Sequence, residues 1–460
     1  MFQWSKTKIV LITIASIFVI GGAAVFFVIK RSGNISIISN SLSVIEEAIK
    51  FLPIKQDTKK ELEAINSLSQ EIVKQDNVER KYLILLQNNM ELRPGGGFLG
   101  QYAVANIKNG EVTSLFIEDA NLLDQRITAK VTPPYPFERM MSIKKWKFRD
   151  SNFSPDFPIN AEKAKYFYRL SGRSSDFDGV IAVNADVFDH VLELTGPITV
   201  PGYPGEYTSE NATWKLEEVV EKKYLGDETL DTQNRKAIMK QMGAIIVDKL
   251  FKINNIPKLA NFTLEELRNK NVMLNFENKE LQKIVEDVHW DGRVAADWDG
   301  DYLMMVDANM GALKSDHYIK REIDYFVDLT MEKPTVTLNA KYTHTATYGD
   351  WRTSDYHSYL RVYVPQGSNL LERKMVSYPN IQEEFGKTYF GFILHVLING
   401  ETNVFVKYEL PDRFKQEDYK LLIQKQSGVG DVPVKIRVKT NEGEFTHEEM
   451  LKKDLKLEFK

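Results

Sequence analysis

The stretch of this sequence with most chemical potential is Asn88-Asn89-Met90-Glu91-Leu92-Arg93-Pro94-Gly95-Gly96-Gly97-Phe98. Three consecutive glycines leave their amides free to approach a ligand closely, and the fork of Arg93 matches a phosphate or a carboxylate. A phosphate cradle is one reading of Gly95, Gly96 and Gly97; a tight connection between two strands is the other. No Gly-Lys-Ser/Thr follows, so a nucleotide loop lacks its lysine and its magnesium-binding hydroxyl. Farther on, Glu118, Asp119 and Asp124 cluster, and Arg149 and Asp150 open Arg-Asp-Ser-Asn-Phe-Ser-Pro-Asp-Phe-Pro. Carboxylates at a strand end beside arginines are a set that could hold Mg2+, through Asp119 and Asp124, on a phosphorylated substrate clamped by arginine. Surface salt bridges use the same residues.

Other chemistries are excluded by what is missing. The chain has no cysteine, which removes disulfides, thiolate zinc sites and a cysteine nucleophile. Its seven histidines form no His-Glu-x-x-His pair, and there is no Gly-x-Ser-x-Gly elbow. Asp297-Trp298-Asp299-Gly300-Asp301 alternates acids like a calcium loop, but Tyr302 and Ala308 stand where the turn glycine and closing glutamate belong. A formal charge of −4 on 460 residues argues against nucleic acid as a partner.

The elements that must position these residues fall into blocks. Ile9 to Ile29 is apolar and uncharged, long enough to cross about 30 Å of hydrocarbon as a helix. We expect an eight-residue cytoplasmic tail (1–8), an uncleaved anchor (9–30) and a helical stalk (31–80) carrying everything else outside. From 81 to 330 the pattern predicts an α/β domain, a mixed sheet with flanking helices. It has a buried strand at Tyr82 to Leu86 and a hairpin turning at Asn109-Gly110. A further strand is expected at Gly179 to Val183, with helices capped by Asn160 and by Thr263 with Glu266. Beyond Pro334 the period becomes two. Val336, Leu338, Ala340 and Tyr342 open about seven short strands over 335–460, expected to form an antiparallel, Ig-like β-sandwich.

Several segments resemble, in order, the bacterial envelope family known as domain of unknown function 4012. They are Leu83 to Gly100, Arg149 to Pro158, Asp178 to Val183, Leu194 to Pro197, Val306 to Asn309 with Lys314 to Asp316, and Tyr359 to Pro365. The resemblance implies a membrane-anchored, extracytoplasmic envelope protein. A more distant similarity is to the LytR-CpsA-Psr phosphotransferases, which move a glycopolymer from a polyprenyl pyrophosphate carrier onto peptidoglycan using arginines and magnesium. By that similarity Arg93, Asp119 and Arg235 would be catalytic, with Gly95, Gly96, Gly97, Arg149 and Asp150 in binding roles. This chain departs from those enzymes in having Arg93-Pro94-Gly95 where they carry Arg-Ser-Asp, and a single arginine at the helix start near Arg235.

Two functions follow: transfer or binding of a lipid-linked glycopolymer beside peptidoglycan, or a non-catalytic surface role in binding, adhesion or envelope structure. Both place the chain in the cell membrane as a single-pass protein. Protease applied to intact spheroplasts should remove the folded domains and spare the anchor; domains that survive until lysis would reverse the expected orientation.

Overall fold

The computed structural model describes Ile49 and residues 53–219, 237–250 and 256–459. The proposed tail, anchor and Arg235 lie outside the described residues. Among the described residues no helix is long and apolar enough to cross a membrane.

The chain divides into two compact units whose segments interleave. Of the described residues, one takes those up to Gln87, Gly100–Arg126 and those between Ser171 and Asp291; the other takes Asn88–Leu99, Ile127–Leu170 and those from Gly292 onward. This differs from the single boundary expected between Thr330 and Thr335.

The first unit is the α/β one. Its strands are β1 (Glu79–Asn88), β2 (Phe98–Lys108), β3 (Glu111–Asp119), β4 (Gly179–Asn184), the short pair β5 (Ile198–Val200) and β6 (Tyr203–Tyr207), and β7 (Val272–Phe276). The main sheet runs β3-β2-β1-β4-β7. It is mixed: β1 lies parallel to β4 from Tyr82↔Gly179 to Gln87↔Asn184, while β2–β3 and β4–β7 are antiparallel. Every residue of β4 is buried, as a continuous apolar run requires of a strand covered on both faces. The β2–β3 hairpin turns at Asn109 (φ 53°) and Gly110 (φ 76°), the two positive dihedrals of a type I′ turn.

Two local expectations change here. The helix Gln56–Val73, read as part of a spacer, places Ala64 and Leu68 in the same core as Ile84, Ile181 and Leu274, and Arg268 pairs with its Glu61. Its apolar face is therefore part of the α/β unit. Thr263 and Glu266 fall inside the helix Ile256–Arg268, where the Thr263 hydroxyl donates back to the Leu259 carbonyl instead of capping an end.

The second unit is built on two six-stranded sheets. Its strands are β8 (Asp301–Val306), β9 (Ile319–Asp328), β10 (Thr335–His344), β11 (Tyr356–Pro365), β12 (Asn369–Lys374), β13 (Asn380–Glu384), β14 (Lys387–Val396), β15 (Glu401–Glu409), β16 (Lys420–Ile423), β17 (Val432–Thr440), β18 (Gly443–Leu451) and β19 (Leu455–Glu458). One sheet is ordered β12-β15-β10-β9-β17-β18, the other β13-β14-β11-β8-β16-β19. Alternate residues of both meet in one core that includes Tyr325, Leu338, Phe392, Val406 and Ile436. The expected purely antiparallel sandwich is corrected in two places, because β9 runs parallel to β17 and β8 parallel to β16. Both β8 and β9 come from before residue 330, so strands expected in the α/β domain complete these sheets.

The outer face of the second sheet is partly covered by the segment 127–170, in which Phe137 and Phe153 pack on Ala308, Met310 and Tyr359. The helix Phe157–Leu170 starts earlier than expected: Asp156 accepts from the Ile159 amide at its first turn, and Asn160 lies inside, bonded to both the amide and the carbonyl of Ser154.

Since β9 sits between β10 and β17, residues from Thr335 onward lack a central strand of their sheet. That fragment alone should be insoluble or give a disordered circular dichroism spectrum, whereas a folded, β-rich fragment would show that β8 and β9 are dispensable.

Candidate functional site

Four of the segments that carry the family resemblance converge inside the second unit, centred on Arg93. Its side chain is 1% exposed. Nη2 donates to Glu91 Oε1 at 2.9 Å and Nε to Asp150 Oδ1 at 3.3 Å. Nη1 donates to the Asn309 carbonyl at 2.9 Å and the Leu92 carbonyl at 3.3 Å, and the guanidinium lies 5.3 Å from the Phe98 ring centre. Burial works against the charge, but Glu91 and Asp150 outweigh it and hold the guanidinium above its ordinary pKa.

The glycine turn is equally occupied. The Gly95 amide donates to the Asn152 carbonyl at 3.0 Å, the Gly96 amide to the Arg93 carbonyl at 2.9 Å, and the Asn152 side-chain amide to the Gly97 carbonyl at 2.6 Å. A Cβ on Gly97 would strike the Asn88 backbone. Gly96 has φ 130° and lies against Gly428, where a Cβ would collide with the Gly96 carbonyl oxygen. Glycine is required at these places so that backbone can meet backbone.

A second buried arginine continues the network. Arg321 Nε donates to Asp307 Oδ2 at 2.8 Å and Nη2 to Asp316 Oδ1 at 2.9 Å, and the Tyr356 hydroxyl donates to that same Asp316 oxygen. Here too burial opposes the charge, while Asp307, Tyr356 and Asp316 keep the guanidinium well above its usual pKa. Asn309 joins the two centres, since its carbonyl accepts from Arg93 and its side-chain amide donates to Asp316 Oδ2 at 2.8 Å. Gln426 closes the cluster by donating to the carbonyls of Arg93 and Asp307. A cavity between the sheets is lined by Asp307, Arg321, Tyr342 and Gln426 with Leu303 and Ile323.

The remaining nominated residues are placed as follows. Arg149 neighbours Asp150, with Nε 3.8 Å from its carboxylate, and its side chain is 28% exposed. Asp119 and Asp124 belong to the α/β unit. Asp119 ends β3 and accepts from both the Asn121 amide (2.9 Å) and the Asn121 side chain (3.1 Å), the geometry of a cap for the helix Ala120–Arg126. Asp124 is buried in that helix. Among the described residues no group of three or more His, Asp or Glu side chains gathers as a metal site. An octahedral Mg2+ draws several oxygens to one centre, and of Asp119 one oxygen, Oδ1, accepts at the helix start. Nearby, sequence reasoning missed Arg173, which grips Glu118 through two bonds of 2.8 and 2.9 Å while Tyr102 also donates to that carboxylate. Also missed were Glu91, Asp307, Asp316 and Arg321 as partners; the cues were the spacing of Glu91 two residues before Arg93 and the place of Asp307 and Asp316 in two of the family-like segments.

Residues 77–220 match the model of a family described as "Protein of unknown function (DUF4012)". The match includes the Arg93 turn and the Arg149 segment and stops before Val306 to Asn309 and Lys314 to Asp316, which supply Arg93 and Leu92 with their partners. No curated protein matches the chain.

Removing one partner from a buried ion pair leaves an uncompensated charge, which costs about 3–5 kcal/mol. Arg93→Ala should therefore lower the urea midpoint of the whole chain sharply, while Arg149→Ala, at a half-exposed position, should move it little. Equal stability of Arg93→Ala and wild type would show that the buried cluster is not structural.

Proposed function

We propose that this chain is a membrane-anchored, extracytoplasmic envelope protein that works by binding or by structural support rather than by phosphotransfer. The observation that carries the reading is the internal use of Arg93: a guanidinium bonded to Glu91, Asp150 and two carbonyls at 1% exposure presents no open fork to a pyrophosphate. The glycine turn supports it, because two of its amides already donate to protein carbonyls. Asp119, committed to a helix start, supports it as well. The apolar run from Ile9 to Ile29 motivates the anchor.

The test uses the full chain in detergent micelles. In an assay that follows transfer from a polyprenyl pyrophosphate-linked oligosaccharide to peptidoglycan fragments, no magnesium-dependent product should form, while the protein should co-sediment with isolated cell-wall polymer. Magnesium-dependent transfer that Asp119→Ala abolishes would overturn the binding reading and restore the transferase one.

A further inference from the structure

Most of the outer face of β11 and β14 is covered, yet at one end two imidazoles point outward side by side. His357 on β11 and His395 on β14 are direct register partners. Both are exposed between buried neighbours: Tyr356 and Ser358 on one strand, Leu394 and Val396 on the other. Their rings stack with centres 4.4 Å apart and planes 8° from parallel. Beside them, the Asp355 carboxylate uses one oxygen to accept from the Ile398 amide at 2.9 Å and places the other 3.4 Å from His395 Nε2.

We propose that His357 and His395 form a two-imidazole chelating site for a first-row divalent cation of the Zn2+, Ni2+ or Cu2+ class, with water completing the coordination. Three observations combine. First, directly opposed residues on antiparallel strands hold their Cβ atoms about 5 Å apart, so modest ring rotations bring one nitrogen of each imidazole onto a common ion. Second, the Asp355 carboxylate 3.4 Å from Nε2 of His395 is a carboxylate–histidine arrangement of the kind that orients a ligating ring. Third, the His357 imidazole takes part in no hydrogen bond or ion pair among the described residues, so an ion would compete only with the ring stack. Imidazole pairs suit these borderline metals and not Mg2+ or Ca2+, so the site is separate from any magnesium chemistry.

The decisive measurement is calorimetry of the full chain, purified without a polyhistidine tag in detergent micelles, titrated with Zn2+ and separately with Ni2+ at pH 7.5. One ion should bind per chain, and because a ligand that binds only the folded form stabilises it, the melting temperature should rise with metal concentration. His357→Ala and His395→Ala should each weaken binding at least tenfold and lose the thermal shift. Asp355→Asn should weaken binding about tenfold while leaving both ligands in place. His447→Ala, an exposed histidine on β18 beside Glu449, should change nothing. Because His357 and His395 face solvent, unchanged metal-free melting temperatures will show that the variants fold. No zinc uptake by wild type, or uptake that His357→Ala leaves intact, would overturn the site.

Discussion

A guanidinium taken out of water must find its compensation in the protein, and the second unit is arranged around that demand at Arg93. The charge is met by Glu91 from its own turn, by Asp150 from the covering segment and by the Asn309 carbonyl from the loop after β8. Two of these are held in turn: Trp146 donates to the Asp150 carbonyl, and the Asn309 side chain is bonded to Asp316 and to the Leu313 carbonyl. Buried ionic groups contribute less to net stability than to selecting one arrangement over others. That is the useful way to see this cluster. Many packings of two sheets and a covering segment would bury similar apolar area, but few would also satisfy two arginines.

Much of the architecture was legible because it is periodic. Val336 to Tyr342, Leu360 to Val364, Val404 to Leu410 and Val434 to Val438 alternate, and each became a strand with its apolar side inward. Strand β9 alternates too, through Ile323, Tyr325 and Val327, yet it lies before Pro334 in the chain while it pairs with β10 and β17. Alternation reveals a strand but not its partners, and one of the partners of β9 is β17, more than a hundred residues later. The exposed strands β12, β13 and β18 escaped notice because few of their side chains are buried. Helix starts failed for a related reason, since Thr263 and Asn160 carry the right side chains in places where the backbone was already helical.

The candidate chemistry was legible as residue types and not as roles. Arginine, glycines and acids are what a phosphate site needs, and they are also what a buried junction of loops needs. The two uses differ only in whether the donors are left over, and sequence does not show which carbonyls lie nearby. Here the glycines admit Asn88, Asn152 and Gly428 backbone, so the space a ligand would need is filled by the protein itself. The histidine pair shows the converse: His357 and His395 are unremarkable in the sequence and become a pair only through the β11–β14 register.

The interleaved path of the chain has a consequence for biosynthesis. Gln426 donates to the carbonyl of Arg93 across a separation of 333 residues. If residues emerge at about 5–20 per second, the glycine turn waits on the order of tens of seconds before the last of its partners arrives. During that interval Arg93 and its carboxylates remain hydrated and the uncovered strand edges of a half-made sheet are open to other chains. A protein wired in this way gains its structure late and all together, which makes its yield depend on whatever shields nascent polypeptide in the compartment where it folds.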